Sequence, residues 1–258
     1  EWYPGLRTRF IQSAKAAATL NHPNIVFIYD YPSCETSCPC IVMEYLEGSD
    51  LEKVVKNQGK FNLDNGMSLV YSIAEGLSYA HKSGIVHRDL KPGNIVLTEN
   101  GPKIIDFGLA KSQKTSTLTI AGEGFFTLYY SAPEQREDFH SADHRSDIYS
   151  FGKTIYYLFT GEEPYDIDWE DVPESLRPIL QKATRKKPEN RYQSMEEIIE
   201  DLNCVIDGKC LEPYDIGYES GEFEHISLVE FDEKITPPTT EIIKRLPEGF
   251  YVKDDKNI

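Results

Sequence analysis

Four side chains near the middle of the chain are of the types that moving a phosphoryl group requires. Asp89, Lys91 and Asn94 fall within six residues of one another in the run His87-Arg88-Asp89-Leu90-Lys91-Pro92-Gly93-Asn94, and Asp106-Phe107-Gly108 begins twelve residues after Asn94. A carboxylate, an ammonium and an amide so close in sequence can converge on one point if the segment is a loop. A hairpin after Asn94 can bring a second carboxylate opposite them. One such group orients an attacking hydroxyl, the cation neutralises phosphate charge, and the remaining oxygens hold hard divalent cations.

The elements that must position these groups can be read from periodicity and from turn residues. A helix is expected from about Arg9 to Leu20, with Phe10, Ala14, Ala17 and Ala18 on one face. It stops before Asn21-His22-Pro23, because proline disfavours helix in the residue before it. Ile25 to Tyr29 and Ile41 to Tyr45 read as two short strands joined by a polar, cysteine-bearing loop. Gly48 marks a break before a short helix at about Asp50–Asn57. A long helix from about Asp64 to His81 buries Val70, Ile73, Leu77 and Ala80, with Gly84 as its stop. Ile95-Val96-Leu97 and Lys103-Ile104-Ile105, separated by Glu99-Asn100-Gly101, read as a tight hairpin, and Thr115 to Gly124 reads as a loop. Helices are expected at Asp147–Phe159, where the run is apolar enough to be central, at Leu176–Ala183 and at Met195–Val205. Beyond about Asp207 the chain turns acidic and loop-like, with Pro237-Pro238 and short apolar pieces such as Ile226 to Val229.

The 258 residues suffice for a substantial core, and 40% hydrophobic with 27% charged residues is ordinary for a globular protein. A formal charge of −16 argues against nucleic acid and anionic membranes as partners. It would favour basic peptides, although acidity also simply aids solubility. No run approaches the roughly 20 apolar residues that span a bilayer, and no signal peptide is visible, so a cytoplasmic location is expected. Five cysteines are too few and too uneven for a disulfide framework. Cys34, Cys38 and Cys40 crowd one loop, but no fourth ligand follows at zinc spacing, so reduced thiols are expected.

The order and spacing of these motifs resemble the protein kinase family, from about Arg9 to Val205. The resemblance rests on the catalytic-loop run, on Asp106-Phe107-Gly108 and on Ala132-Pro133-Glu134. It implies that Asp89 orients the substrate hydroxyl or acts as its base and that Lys91 contacts the transferring phosphate. Asn94 and Asp106 would hold two Mg²⁺ ions. Met43-Glu44-Tyr45-Leu46 is similar to the family's hinge, where backbone groups of Glu44 and Leu46 would meet the adenine edge of ATP. Asp50 would reach the ribose and Val96 would pack beneath the base. Lys91, with Thr127 ahead of Ala132-Pro133-Glu134, resembles the serine/threonine branch, and Tyr130-Ser131-Ala132-Pro133-Glu134-Gln135 resembles bacterial wording. Arg88 beside Asp89 resembles kinases whose activation loop is phosphorylated, with Ser112, Thr115, Ser116, Thr117 and Thr119 as candidate acceptors. Asp147 resembles the acid that braces the catalytic loop, and Glu134 with Arg191 the ion pair that anchors the activation segment. A small-molecule phosphotransferase is disfavoured by the Lys91-Pro92 pair and by Ala132-Pro133-Glu134.

The sequence departs from the family in its first residues. Neither a Gly-x-Gly-x-x-Gly loop nor a Val-Ala-Ile-Lys strand occurs, and Ser13 stands where the family's helix places its glutamate. Phe126 replaces a glycine before Thr127, and only five residues separate Asp166 from Val172, where relatives carry a further helix. Three accounts remain open: a fragment of an active kinase, a pseudokinase that binds a partner through the same surface, or a lobe completed by another polypeptide. The expected architecture is α+β and protein-kinase-like. It comprises a truncated N-terminal lobe at residues 1–45, a mainly helical C-terminal lobe at 46–206 and an acidic extension at 207–258. The expected activity is ATP- and Mg²⁺-dependent phosphorylation of serine or threonine in protein substrates.

Overall fold

The computed structural model describes residues 6–31, 40–107, 129–137 and 142–208. The chain divides into two units, 1–216 and 217–258, and the second lies outside the described residues. So do Cys34 and Cys38, the candidate phosphoacceptors between Ser112 and Thr119, Phe126, Thr127 and the acidic extension beyond Gly208. Cys40 is an exposed free thiol. No helix among the described residues is long and apolar enough to cross a membrane.

Helix α1 spans Leu6–Ala17 and buries Ala14 and Ala17. It is followed by a tight turn in which Thr19 and Leu20 donate backbone bonds to Ala16 and Ala17, so the helix ends three residues earlier than its apolar pattern. Strands β1 (Ile28–Asp30) and β2 (Val42–Met43) pair antiparallel. Ile25 and Val26, expected in the first strand, do not join that pair. Val26 N–H donates to the Ile104 carbonyl at 2.9 Å and Ile104 N–H to the Asn24 carbonyl at 2.8 Å, so this half of the apolar run docks on the later hairpin.

Strand β3 (Gly48–Asp50) was legible only as a break. It pairs with β4 (Ile95–Thr98), which pairs with β5 (Gly101–Ile104) as the expected hairpin. A Cβ at Gly48 would run into the Leu97 carbonyl, so this glycine permits close strand approach instead of ending an element. Asp50 caps α2 (Leu51–Gln58) by accepting from Lys53 N–H at 2.9 Å, and Asn62 caps α3 (Leu63–Lys82) through Asn65 N–H at 2.9 Å. All four expected stripe residues of α3 are buried, and Gly84, at φ +73°, follows the helix end.

Helix α4 (Pro133–Glu137) precedes α5 (His144–Thr160), which Asp143 caps at its start and left-handed Gly161 ends. Every residue from Ser146 to Thr160 is buried, so α5 is the central post of the helical region. After a 3₁₀ turn at Glu174–Leu176 come α6 (Arg177–Ala183) and α7 (Met195–Ile206). The chain between α5 and that turn forms no helix, as the short spacing implied, and Ile167 and Trp169 pack onto the core there. Glu196 of α7 accepts from Ser78 and Lys82 of α3, each at 2.7 Å, which ties the two helices side by side.

α5 and α6 meet at Gly152, where a Cβ would lie 2.7 Å from Thr184 Cγ2 and 3.1 Å from Ala183 Cβ. Substituting Gly152→Ala overfills this contact and is expected to cost about 1–3 kcal/mol in chemical denaturation. A variant as stable as the parent would show that the helices are not packed this tightly.

Candidate active site

The catalytic-loop residues leave α3, make a bend, and run into β4; their geometry is set by one buried carboxylate. Asp147, in the first turn of α5, is fully buried. Its Oδ2 accepts from His87 N–H and its Oδ1 from Arg88 N–H, each at 2.7 Å, while His81 Nε2 lies 2.8 Å from Oδ2. Burial pushes this carboxyl up. The hydrogen bond and charge of His81, with the charge and N–H of His87, outweigh that and hold it below the usual carboxylate range. Arg88 sits at φ +63°, a left-handed conformation that costs a non-glycine residue about 1 kcal/mol and that the two bonds to Asp147 hold in place.

His87 joins the loop to the hairpin. Its Nδ1 accepts from Asp89 N–H at 3.2 Å, so Nε2 carries the proton and donates to the Ile105 carbonyl at 2.8 Å. Its ring also lies 4.6 Å from that of Phe107. Asn94 completes the link. Its Nδ2 donates to the Asp89 carbonyl at 2.8 Å and to Asp89 Oδ2 at 3.2 Å, and its own carbonyl accepts from Ile105 N–H at 2.9 Å. The side-chain nitrogen is thus spent on Asp89, and no described donor takes Asn94 Oδ1.

Asp106, at φ +60°, is the second non-glycine residue in a left-handed conformation. It retains an exposed surface yet is recessed enough that desolvation pushes its carboxyl up. His87 opposes this, Asp89 adds to it and Lys91 again opposes it, which places Asp106 within electrostatic reach of both catalytic-loop groups. Two oxygen donors, Asn94 Oδ1 and the Asp106 carboxylate, fit a hard divalent cation. Lys91 and Asn94 open onto a cleft of about 470 Å³ that Asp50, Glu52, Tyr130 and Glu163 also line.

Of the residues expected around a nucleobase, Asp50 and Val96 lie on the β3–β4–β5 sheet. Asp50, Val96 and Lys103 are cross-strand neighbours in β3, β4 and β5, and so share one face. Asp50 is engaged, with its oxygens on Lys53 N–H at 2.9 Å and Lys53 Nζ at 3.0 Å. Glu44 and Leu46 are half-buried at the crossing from β2 to β3. Arg191, almost fully buried, makes a two-pronged bridge to Glu134 at 2.6 and 2.8 Å. Ser13 lies partly exposed on α1.

Three supporting residues escaped the sequence reading. His81 lies four residues after Leu77 on the buried stripe of α3, and a polar residue there was the available signal. Gln135 Nε2 donates to the Arg88 carbonyl at 3.2 Å, joining α4 to the catalytic loop. Lys103 pairs with Glu44 at 2.6 Å, and nothing in either residue's local sequence pointed to that contact.

The chain is similar to known protein kinases. The protein kinase domain model matches residues 5–213. The protein described as Probable serine/threonine-protein kinase from Clostridium acetobutylicum is 38% identical over 218 residues, covering 76% of this chain and 33% of that protein. Serine/threonine-protein kinase PknB of Mycobacterium leprae is 36% identical over 231 residues, covering 80% of this chain and 37% of its own length. A crystal structure of the Mycobacterium tuberculosis PknI kinase domain superposes with a TM-score of 0.62 at 26% identity, covering 78% of this chain and 79% of that one. The chain belongs to the protein kinase domain family. It spans about a third of the length of these two curated relatives.

Asp147→Asn turns an amide donor toward one of the two backbone N–H groups, removes the buried charge beside His81, and is expected to cost about 3–5 kcal/mol at neutral pH. The folded carboxyl titrates below its unfolded value. The stabilisation is therefore complete above about pH 4 and is lost as the pH falls through the folded value. Denaturation of both proteins between neutral and acid pH should show the gap narrowing in acid; a gap that stays constant would contradict this role.

Proposed function

We propose that the chain transfers the γ-phosphoryl group of ATP to serine or threonine hydroxyls of protein substrates. The single observation that supports this is the Asp89–Asn94–Ile105 link, in which the Asn94 amide donates to Asp89 and the Asn94 carbonyl accepts from the residue before Asp106. In this reading Asp89 accepts or orients the hydroxyl proton of the substrate, and Asn94 Nδ2 fixes the carboxylate that does so. Lys91 balances charge on the transferring phosphate. Mg²⁺ held by Asn94 and Asp106 would neutralise the triphosphate. The backbone of Glu44 and Leu46 would receive the adenine edge above Val96, with Asp50 toward the ribose.

Residues 1–258 hold neither a glycine-rich loop nor a strand lysine, so in this reading the remaining phosphate contacts would need further strands beside β1 and β2. The face those strands would cover is present. Tyr29 and Val42 on β1 and β2 are 65% and 50% exposed, with Phe27 and Tyr31 beside them. Among the described residues β1 and β2 pair only with each other, and a two-stranded sheet carrying exposed aromatics can accept further pairing.

Asp89→Asn should lower phosphate transfer to a serine- or threonine-containing protein by about a hundredfold or more while leaving Mg²⁺·ATP binding within a few-fold. Asp106→Asn should instead abolish the rise in melting temperature that Mg²⁺ adds to ATP, because ligands that bind only the native state raise its stability. Transfer that survives Asp89→Asn would overturn the catalytic assignment.

A further inference from the structure

Glu44 occupies a strand ladder with its side chain where its main chain would ordinarily serve. Its N–H donates to the Phe27 carbonyl at 2.9 Å, the first half of the reciprocal pair that two directly opposed antiparallel residues exchange. The second half would run from Phe27 N–H to the Glu44 carbonyl. Instead, Phe27 N–H donates to Glu44 Oε1 at 2.7 Å. That same oxygen lies 2.6 Å from Lys103 Nζ, in a pair whose side chains are only 21% and 18% exposed. Among the described residues, no hydrogen bond engages the Glu44 carbonyl or the Leu46 N–H.

We propose that Lys103 is a positioning residue for nucleobase recognition: it clamps the Glu44 carboxylate onto Phe27 N–H and so frees the Glu44 carbonyl to accept from a purine amino group. The inference rests on the adenine reading given above and adds to it the device that keeps the acceptor available. The placement of Lys103 suits the role. It stands beside Val96 on the face proposed as the floor of the base, and its ammonium reaches out of the β3–β4–β5 sheet to the crossing strand. Asn24 Nδ2 donates to the Pro102 carbonyl at 3.0 Å and Ile104 N–H to the Asn24 carbonyl at 2.8 Å, so β5 is held against the segment that carries Phe27. Without the ammonium, a partly buried carboxylate loses its counter-charge and turns outward to water. Phe27 N–H then recovers its ordinary partner, the Glu44 carbonyl, and the carbonyl is withdrawn from the base.

Base selectivity in the full chain tests this apart from stability. Inosine triphosphate carries an oxygen where ATP carries the amino group, so an acceptor aimed at that position favours ATP. Dissociation constants for the two nucleotides with Mg²⁺ would be compared in the parent, Lys103→Met and Lys103→Arg, with the denaturation midpoint of each. The preference for ATP should fall about tenfold in Lys103→Met, the effect of one lost hydrogen bond, and return in Lys103→Arg. An unchanged preference in a folded Lys103→Met overturns the proposal while leaving the adenine site intact. Absence of any ATP preference in the parent overturns the adenine reading, and the proposal with it. Should Lys103→Met fail to fold, Glu44→Gln decides: it keeps an acceptor for Phe27 but loses the ion pair, so a reduced preference supports the clamp and an unchanged one overturns it.

Discussion

A single carboxylate without access to water holds the site together. Asp147 accepts the main-chain N–H groups of His87 and Arg88 at the sharp bend of the loop, and an orphaned donor in that position would cost about 1–3 kcal/mol. The carboxylate can remain charged there because His81 supplies a third bond from the last turn of α3. Helices α3 and α5 therefore meet through a hydrogen bond to a buried carboxylate at the point where the chain leaves one of them to build the catalytic loop. α5 is buried along nearly its whole length, so the anchor is as rigid as the core.

Rigidity at Asp147 propagates outward by hydrogen bonds rather than by packing. Arg88 is fixed in a left-handed conformation, His87 spans from Asp89 to Ile105, and Asn94 closes the loop onto Asp89. The hairpin β4–β5 returns the chain to the same place, where Asp106 adopts a left-handed conformation as well. Two strained non-glycine residues at the two ends of one network, Arg88 beside Asp89 and Asp106 itself, fit a site whose geometry the surrounding fold over-determines.

The helical part of this fold was legible because its signals are local. The stripe Val70, Ile73, Leu77 and Ala80, the cap at Gly84 and the turn at Glu99–Gly101 each depend on residues a few positions apart. The catalytic motifs were likewise written in contiguous runs. What escaped depended on contacts between distant segments. Gly48 reads as a break because a missing side chain marks both turns and close strand approaches, and only the Leu97 carbonyl distinguishes them. Ile25 and Val26 carry strand-like side chains, but their backbone partner is Ile104, about eighty residues away. Lys103 read only as the first residue of a hairpin strand, and its contact is with an oxygen of Glu44 that the sequence places fifty-nine residues earlier.

The account rests on Asn94 and Asp106 meeting about one cation next to Asp89. A crystal structure of the chain with Mn²⁺ and a non-hydrolysable ATP analogue, with anomalous scattering recorded for the metal, tests this directly. The account predicts a metal peak coordinated by Asn94 Oδ1 and the Asp106 carboxylate, with the terminal phosphate turned toward Asp89 and Lys91. A nucleotide bound with its metal away from both residues would contradict it.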